Sequence, residues 1–201
     1  PLETSLQIEY SEEIQNENGL QVGFKIEEMV NRVEALLKSI GLVSDFSSIV
    51  YLIAHGATST NNTHYAGYDC GACCGRPGTV NSMVMAFMVN HQKVREILKT
   101  RGILIPETTT FIAGLHDTTR DEIIFYNTDK LSQEHKNFHK KNEEVFNQAL
   151  KLNAKERSRR FDLIDSNLKV DEIYEKVKLR SVSLFEPRPE LNHATNALCV
   201  V

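Results

Sequence analysis

Residues 55–80 constrain the possible folds of this chain more than any other stretch. They read HGATSTNNTHYAGYDCGACCGRPGTV. This stretch lies between a short apolar run, residues 49–54, and a helix-patterned run that begins near residue 81. It holds three of the four cysteines, two histidines and five of the ten glycines. A loop this long is uncommon in a compact domain unless it carries function. Thiol and imidazole ligands on a glycine-rich backbone are typical of a zinc site, so we expect Zn²⁺ to be bound here.

The hydrophobic pattern predicts an α/β fold. Apolar residues at helical spacing predict helices over residues 24–40, 81–101, 131–161 and 170–177. Short apolar runs predict strands over residues 49–54, 109–115, 122–126 and 197–201, with a brief extended segment at 103–106. Strands that alternate with helices favour a mostly parallel β-sheet flanked by helices.

The same pattern predicts the domain organisation. We expect residues 1–23 to form an irregular lead-in and residues 24–201 to form a single α/β domain. The chain begins with Pro1 and ends in an apolar run that is typical of an edge strand. We therefore interpret it as a fragment of a longer protein.

Composition excludes several classes of protein. With 201 residues, 41% hydrophobic and 25% charged, the chain is long enough to form one globular domain. Its apolar runs are far shorter than the roughly 20 residues that a membrane-spanning helix needs. The net charge of −4 and the lack of a basic stripe argue against nucleic-acid binding. No secretion signal is visible, and closely spaced cysteines favour reduced thiols in the cytosol over a disulfide framework.

His55 and Cys70 are the strongest candidate metal ligands. His55 ends a predicted strand, where α/β sheets usually place their ligands, and Cys70 opens a Cys-x-x-Cys pair with Cys73. Such a pair is typical of half of a structural zinc knuckle or, at the start of a helix, of a redox dithiol. For Cys73 and Cys74 we favour a role as small packing residues over a role as ligands.

A second polar group follows the predicted strand at 109–115. His116 and Asp117 come first, and two threonines follow them. Because they follow a strand, these side chains are candidates to line the same cleft and to shape the site or relay protons. The alternative is a surface turn capped by Asp117 and the threonines.

Several ordered motifs together resemble the DabA family, the large subunits of inorganic-carbon transporters. They run from about residue 49 to the end of the chain: HGATSTNN at 55–62, DCGAC at 69–73, GxxGxxN at 75–81, GIxIPxT at 102–108, LHDTTxD at 115–121, Glu156-Arg157 with Arg160, and Arg180-Ser181 followed by Arg188-Pro189-Glu190. Three positions, Thr63, Cys74 and Leu191, depart from the family pattern.

The resemblance implies a domain similar to β-carbonic anhydrases, with zinc held by two cysteines, one histidine and one aspartate. The histidine and one cysteine correspond to His55 and Cys70. The other two ligands belong to a Cys-x-Asp-x-Arg motif that this sequence does not contain. We therefore expect half of a zinc site in a C-terminal part of the catalytic region. The isolated chain should bind zinc weakly or not at all and should be inactive.

The family further implies zinc-dependent hydration of carbon dioxide to bicarbonate, in a complex energised through an integral membrane subunit of the DabB type. We expect a peripheral location at the cytoplasmic face of the cell membrane, with His116 and Asp117 in the catalytic site. Two alternatives come from the residues themselves. One is a structural zinc-binding or interaction module without catalysis, and the other is a redox protein that uses Cys70 and Cys73.

Overall fold

The computed structural model describes residues 7–12, 18–58, 69, 73, 75–161 and 163–185. In chain order these residues form α1 Ile26–Ser39, β1 Ile49–Gly56, α2 Thr79–Asn90, α3 Gln92–Thr100, β2 Thr110–Asp117, β3 Glu122–Phe125, a short 3-10 helix Thr128–Lys130, α4 Gln133–Ser158 and α5 Val170–Arg180. Within this described part of the chain, no helix combines the length and the apolar character needed to cross a bilayer.

The three strands form one small mixed sheet in the order β1–β2–β3. β1 and β2 are parallel, because the Thr110 N–H donates to the Ser48 carbonyl at 2.8 Å and, further along both strands, the Thr118 N–H donates to the Gly56 carbonyl at 3.0 Å. β2 and β3 are antiparallel. The predicted α/β class, with a sheet flanked by helices, is confirmed, and the sheet has an antiparallel edge. The strand predicted over 197–201 lies outside the described residues.

The helix predicted over residues 81–101 is in fact two helices. His91 separates α2 from α3 in an extended conformation, with φ −70° and ψ 125°. The Asn90 side chain at the break donates to the Phe111 carbonyl at 2.7 Å and accepts the Phe111 N–H at 3.0 Å. Arg95, in the first turn of α3, donates to a carbonyl in the last turn of α2 at 2.8 Å. Polar side chains therefore satisfy backbone groups at and around the break.

The chain divides into two compact units, and unit 1 is Pro1–Leu52 with Met83–Ile112. Its core is apolar and contains Met29, Val30, Val33, Leu37, Met88, Val89, Val94, Leu98, Ile103, Ile105 and Phe111. α1 packs against α3. Arg101, which follows α3, ties the two helices together by donating to Asn31 at 2.8 Å and to Glu34 at 2.6 Å.

Unit 2 is Ile53–Ser82 with Ala113–Val201. In it, α4 packs against α5 and β3, with a small apolar cluster of Ala154, Ile164, Ile173 and Val177. Unit 2 also buries many polar side chains: Asp69, Ser82, Asp117, Thr119, Asp121, His139, Arg157, Ser158, Arg180 and Ser181. The single domain predicted over 24–201 stays a prediction.

Candidate functional site

His55 is the penultimate residue of β1 and is half-buried. Its carbonyl accepts the N–H of Gly78 at 2.8 Å, just before α2 begins. A Cβ at position 78 would lie 2.9 Å from the Cβ of Ala54 and 3.3 Å from the His55 carbonyl oxygen. The space therefore demands glycine, and Gly78 lets the returning chain pass close to the strand end that carries the predicted ligand.

Asp69 anchors the other side of the loop. The residue is 4% exposed, and its Oδ1 accepts the N–H of Ala57 at 2.8 Å. Ala57 lies two residues after His55, and Asp69 directly precedes Cys70 in the sequence. Cys70 itself lies outside the described residues. One buried hydrogen bond thus joins Ala57, two residues after His55, to Asp69, the residue before Cys70.

Cys73 lies in the same loop and is half-buried. The Asn81 amide, in the first turn of α2, donates to its Sγ at 3.2 Å. Among the residues that the structure describes, no cluster of three or more His, Cys, Asp or Glu side chains is placed to hold a metal ion. The pairing of His55 with Cys70 stays a prediction.

Asp117 is the last residue of β2 and is 8% exposed. Its Oδ1 accepts the backbone N–H groups of Thr58 at 3.2 Å, Thr119 at 3.1 Å and Arg120 at 3.3 Å. Its Oδ2 accepts the Thr58 hydroxyl. The carboxylate therefore closes the turn after β2 and fastens it to the chain that leaves β1. This is the capped turn that the sequence offered as an alternative, and a catalytic role for Asp117 stays a prediction.

His116 precedes Asp117 on β2 and contacts different residues. Its side chain is 29% exposed, and its Nε2 lies 3.4 Å from Oδ1 of Asp121. That nitrogen is buried, and it makes no hydrogen bond of good geometry with any described residue. The imidazole therefore has one buried nitrogen facing a carboxylate oxygen, while part of its ring reaches solvent.

Asp121 is the functional candidate that sequence reasoning missed. The residue is 1% exposed and has a left-handed backbone, with φ +52°. Its Oδ2 forms a buried ion pair with Arg157 of α4, and its Oδ1 accepts the Asn153 amide at 2.9 Å. The hydroxyl of Tyr174 donates to its backbone carbonyl at 3.1 Å. The signal was present in the sequence, since Asp121 ends the LHDTTxD motif and Arg157 lies in another motif, but spacing alone does not show that they meet.

Two ionisable groups near this cluster have a shifted pKa. Burial raises the pKa of the Tyr174 hydroxyl, which keeps it a neutral hydrogen-bond donor. The hydrogen bond to Glu122 raises the pKa of Lys178, so the ammonium persists beside β3. Arg157 also donates to the Thr118 carbonyl at 3.1 Å, which fixes the turn between β2 and β3 to α4.

The sequence profile of a family described as "Probable inorganic carbon transporter subunit DabA" matches residues 2–201. The chain belongs to the DabA family. A DabA protein of Azotobacter vinelandii is 61% identical over 185 residues, and one of Nitrosospira multiformis is 56% identical over 200 residues. Both are named probable inorganic carbon transporter subunits. DabA membership thus confirms the resemblance drawn from the motifs.

The DabA relatives are much longer than this chain. The two alignments cover 92% and 98% of the chain but 22% of each relative. A DabA protein of Sorangium cellulosum, 40% identical over 178 residues, is covered to 18% of its length. The chain therefore spans about a fifth of the length of these DabA proteins. No solved structure matches it.

Proposed function

We propose that this chain supplies two of the four zinc ligands, His55 and Cys70, of a DabA-type subunit that hydrates carbon dioxide to bicarbonate. The subunit would act at the cytoplasmic face of the membrane with an integral partner of the DabB type. The names of the relatives support a role in inorganic carbon transport. The hydrogen bond between the Ala57 N–H and Asp69 is the single observation that supports the site best.

That hydrogen bond bears directly on whether His55 and Cys70 meet. Two ligands of one zinc ion lie within roughly 4 Å of each other, given metal–ligand distances of about 2.0–2.3 Å. Each residue of extended chain spans at most about 3.6 Å. Asp69 is hydrogen-bonded to Ala57, which lies two residues after His55, and Cys70 follows Asp69 in the chain. This contact between the residues that flank the loop supports the pairing of His55 with Cys70.

The surrounding residues support the same assignment. When bound, zinc at such a site supplies hydroxide near neutral pH. Asp117 shapes the site, because its four hydrogen bonds fix the backbone that follows β1. His116 carries protons, because it combines a partly exposed ring with a buried nitrogen beside a carboxylate. Gly78 keeps the start of α2 close to His55.

The test uses the full-length protein with its membrane partner. His55→Ala and Cys70→Ser should each remove zinc, measured by metal analysis, and abolish uptake of labelled inorganic carbon. Cys73→Ser is the matched control from the same loop and should leave zinc bound. Retention of zinc by both ligand variants would refute the proposal. An equal dependence on Cys73 would favour the structural zinc-binding module instead.

A further inference from the structure

We infer that Asp121 and Arg157 are positioning residues for His116: they hold a carboxylate oxygen against its Nε2, keep a proton on that nitrogen and leave Nδ1 as the position that takes up and releases protons. This inference rests on the proposed function, in which His116 relays protons. It assigns roles to two buried residues that are not ligands of the proposed zinc site.

The Asp121 carboxylate is held firmly by its neighbours. Oδ2 of Asp121 is paired with the Arg157 guanidinium, and Oδ1 accepts the Asn153 amide at 2.9 Å. Both partners come from α4, and the Tyr174 hydroxyl of α5 holds the Asp121 backbone at 3.1 Å. The left-handed φ of +52° is one that aspartate tolerates better than most residues. With both oxygens engaged, the carboxylate is not free to turn away from its neighbour on β2.

The nitrogen that faces the Asp121 carboxylate belongs to His116. Nε2 of His116 is buried and 3.4 Å from Oδ1. If this nitrogen carried a lone pair, that pair would face a carboxylate oxygen at short range, which is repulsive. If it carries a proton, the same 3.4 Å contact places an N–H beside an anion, which is attractive even without a well-aligned hydrogen bond. The carboxylate therefore selects the Nε2–H tautomer, as a buried aspartate does for a catalytic histidine.

The backbone that follows His116 is fixed on two sides. The Arg157 guanidinium that fixes Asp121 also donates to the Thr118 carbonyl at 3.1 Å. The Thr118 N–H in turn donates to the Gly56 carbonyl at 3.0 Å, one residue after His55. The turn that follows His116 is thus tied both to α4 and to the end of β1. In the Nε2–H tautomer, Nδ1 is the ring nitrogen with a lone pair that can accept a proton.

Asp121→Asn tests this inference in the full-length protein with its membrane partner. An asparagine amide can turn its N–H₂ towards Nε2 and so reverse the preferred tautomer. We expect carbon uptake to fall about tenfold or more, with zinc content unchanged, because proton transfer by a positioned side chain typically contributes 10²–10⁴-fold. The matched control is Asp171→Asn, which removes an exposed carboxylate of α5 that pairs with Lys151 of α4 and should change neither quantity.

A double-mutant cycle separates positioning from mere structural support. If Asp121 acts through His116, Asp121→Asn in a His116→Gln background should cause no further loss of uptake. If the fold-losses of uptake in the two single variants multiply in the double variant, the two residues act independently and the inference is overturned. In ¹⁵N-histidine NMR, with the His116 signals assigned by their absence in His116→Gln, the wild type should show the Nε2–H tautomer. The Nδ1–H tautomer in the wild type would also overturn it.

His116→Gln and Asp121→Asn distinguish a failure of the proposed function from a failure of this inference. If His116→Gln leaves uptake intact, the proton-relay role in the proposed function is wrong. If His116→Gln lowers uptake but Asp121→Asn does not, the positioning inference alone is wrong. If Asp121→Asn does not fold, Asn153→Ala is the second variant. It keeps the Asp121 charge and its pair with Arg157 but removes the hydrogen bond to Oδ1 of Asp121. It should lower uptake by a smaller factor, and that loss should again disappear in the His116→Gln background.

Discussion

The two units of this chain bury different chemistry. Most of the largest fully buried side chains of the described residues belong to unit 1 and are apolar, among them Met29, Leu37, Met88 and Leu98. Among the described residues, unit 1 buries one polar residue, Thr109, whereas unit 2 buries ten polar or charged residues. Burial of apolar area stabilises the fold without requiring a particular orientation of the side chains. A buried polar group, in contrast, needs a hydrogen-bond partner at a defined position. Unit 1 is built as a scaffold, and unit 2 is built to hold side chains in fixed positions.

Two arginines show the same difference in detail. Arg101 of unit 1 joins α3 to Glu27 and Glu34 of α1, and its side chain is 29% exposed. Arg157 of unit 2 pairs with Asp121, and their side chains are 6% and 1% exposed. An exposed pair is screened by water and adds little stability, whereas breaking a buried pair leaves an uncompensated charge. The comparison therefore predicts a clear ranking of effects.

The largest effect should come from Arg157→Met. Removal of the guanidinium leaves the Asp121 carboxylate buried without its counter-charge, which typically costs about 3–5 kcal/mol of unfolding free energy. Urea denaturation followed by circular dichroism measures the change. Arg157→Lys keeps the charge and should cost less. A loss no larger than that of an exposed surface pair would mean that the buried network of unit 2 is not what holds the turn after β2.

Leu98→Ala should come next, now in unit 1. Leu98 is 0% exposed in the apolar cluster, and its truncation leaves a cavity that typically costs about 2–5 kcal/mol. The matched control is Leu104→Ala in the same unit, because Leu104 is 61% exposed and should be nearly neutral. Equal costs for the two variants in the same denaturation experiment would contradict the assignment of unit 1 as a tightly packed scaffold.

Gly78→Ala sharpens the comparison at the loop itself. The added Cβ meets the Cβ of Ala54 at 2.9 Å, so the start of α2 must shift from the strand end that carries His55. Overpacking of this kind typically costs about 1–3 kcal/mol, and zinc content of the full-length protein should fall with it. Ala54→Gly removes the closer clash and should restore part of both quantities. No rescue by Ala54→Gly would show that the contact does not limit the loop.

The sequence predicts much of this fold because periodic burial decides most of its elements. The apolar run at 49–54 became β1, and His55 lies next to its end as expected. The break at His91 was missed because residues 81–101 keep a helical spacing of apolar side chains on both sides of it. The partners that stabilise the break are Arg95 and, from β2, Phe111, and contacts of this kind are not encoded in local periodicity.

The candidate site shows the same limit more sharply. A histidine after a strand can be recognised from sequence, because strand ends are where α/β folds place ligands. The group around Asp121 brings together residues from three separate stretches of the chain: His116 beside the turn after β2, Asn153 and Arg157 on α4, and Tyr174 on α5. Polar residues on a charged helix such as α4 look like a solvated face in the sequence. Their burial is decided by the partner element.

The smallest predicted effect concerns the partly exposed charges of unit 1. Hydrogen bonds from Lys38 and then Arg101 lower the pKa of the Glu34 carboxyl below its usual 4.5. A lowered pKa in the folded state means that the contribution of Glu34 to stability is present above about pH 4.5 and is lost as the pH falls through the folded-state pKa. Glu34→Gln should therefore be slightly less stable than the wild type at pH 7 and should match it at acidic pH. Denaturation curves from pH 7 to pH 3, with the exposed Glu107→Gln as control, measure this difference, and a cost that rivals Arg157→Met would end the contrast between the two units.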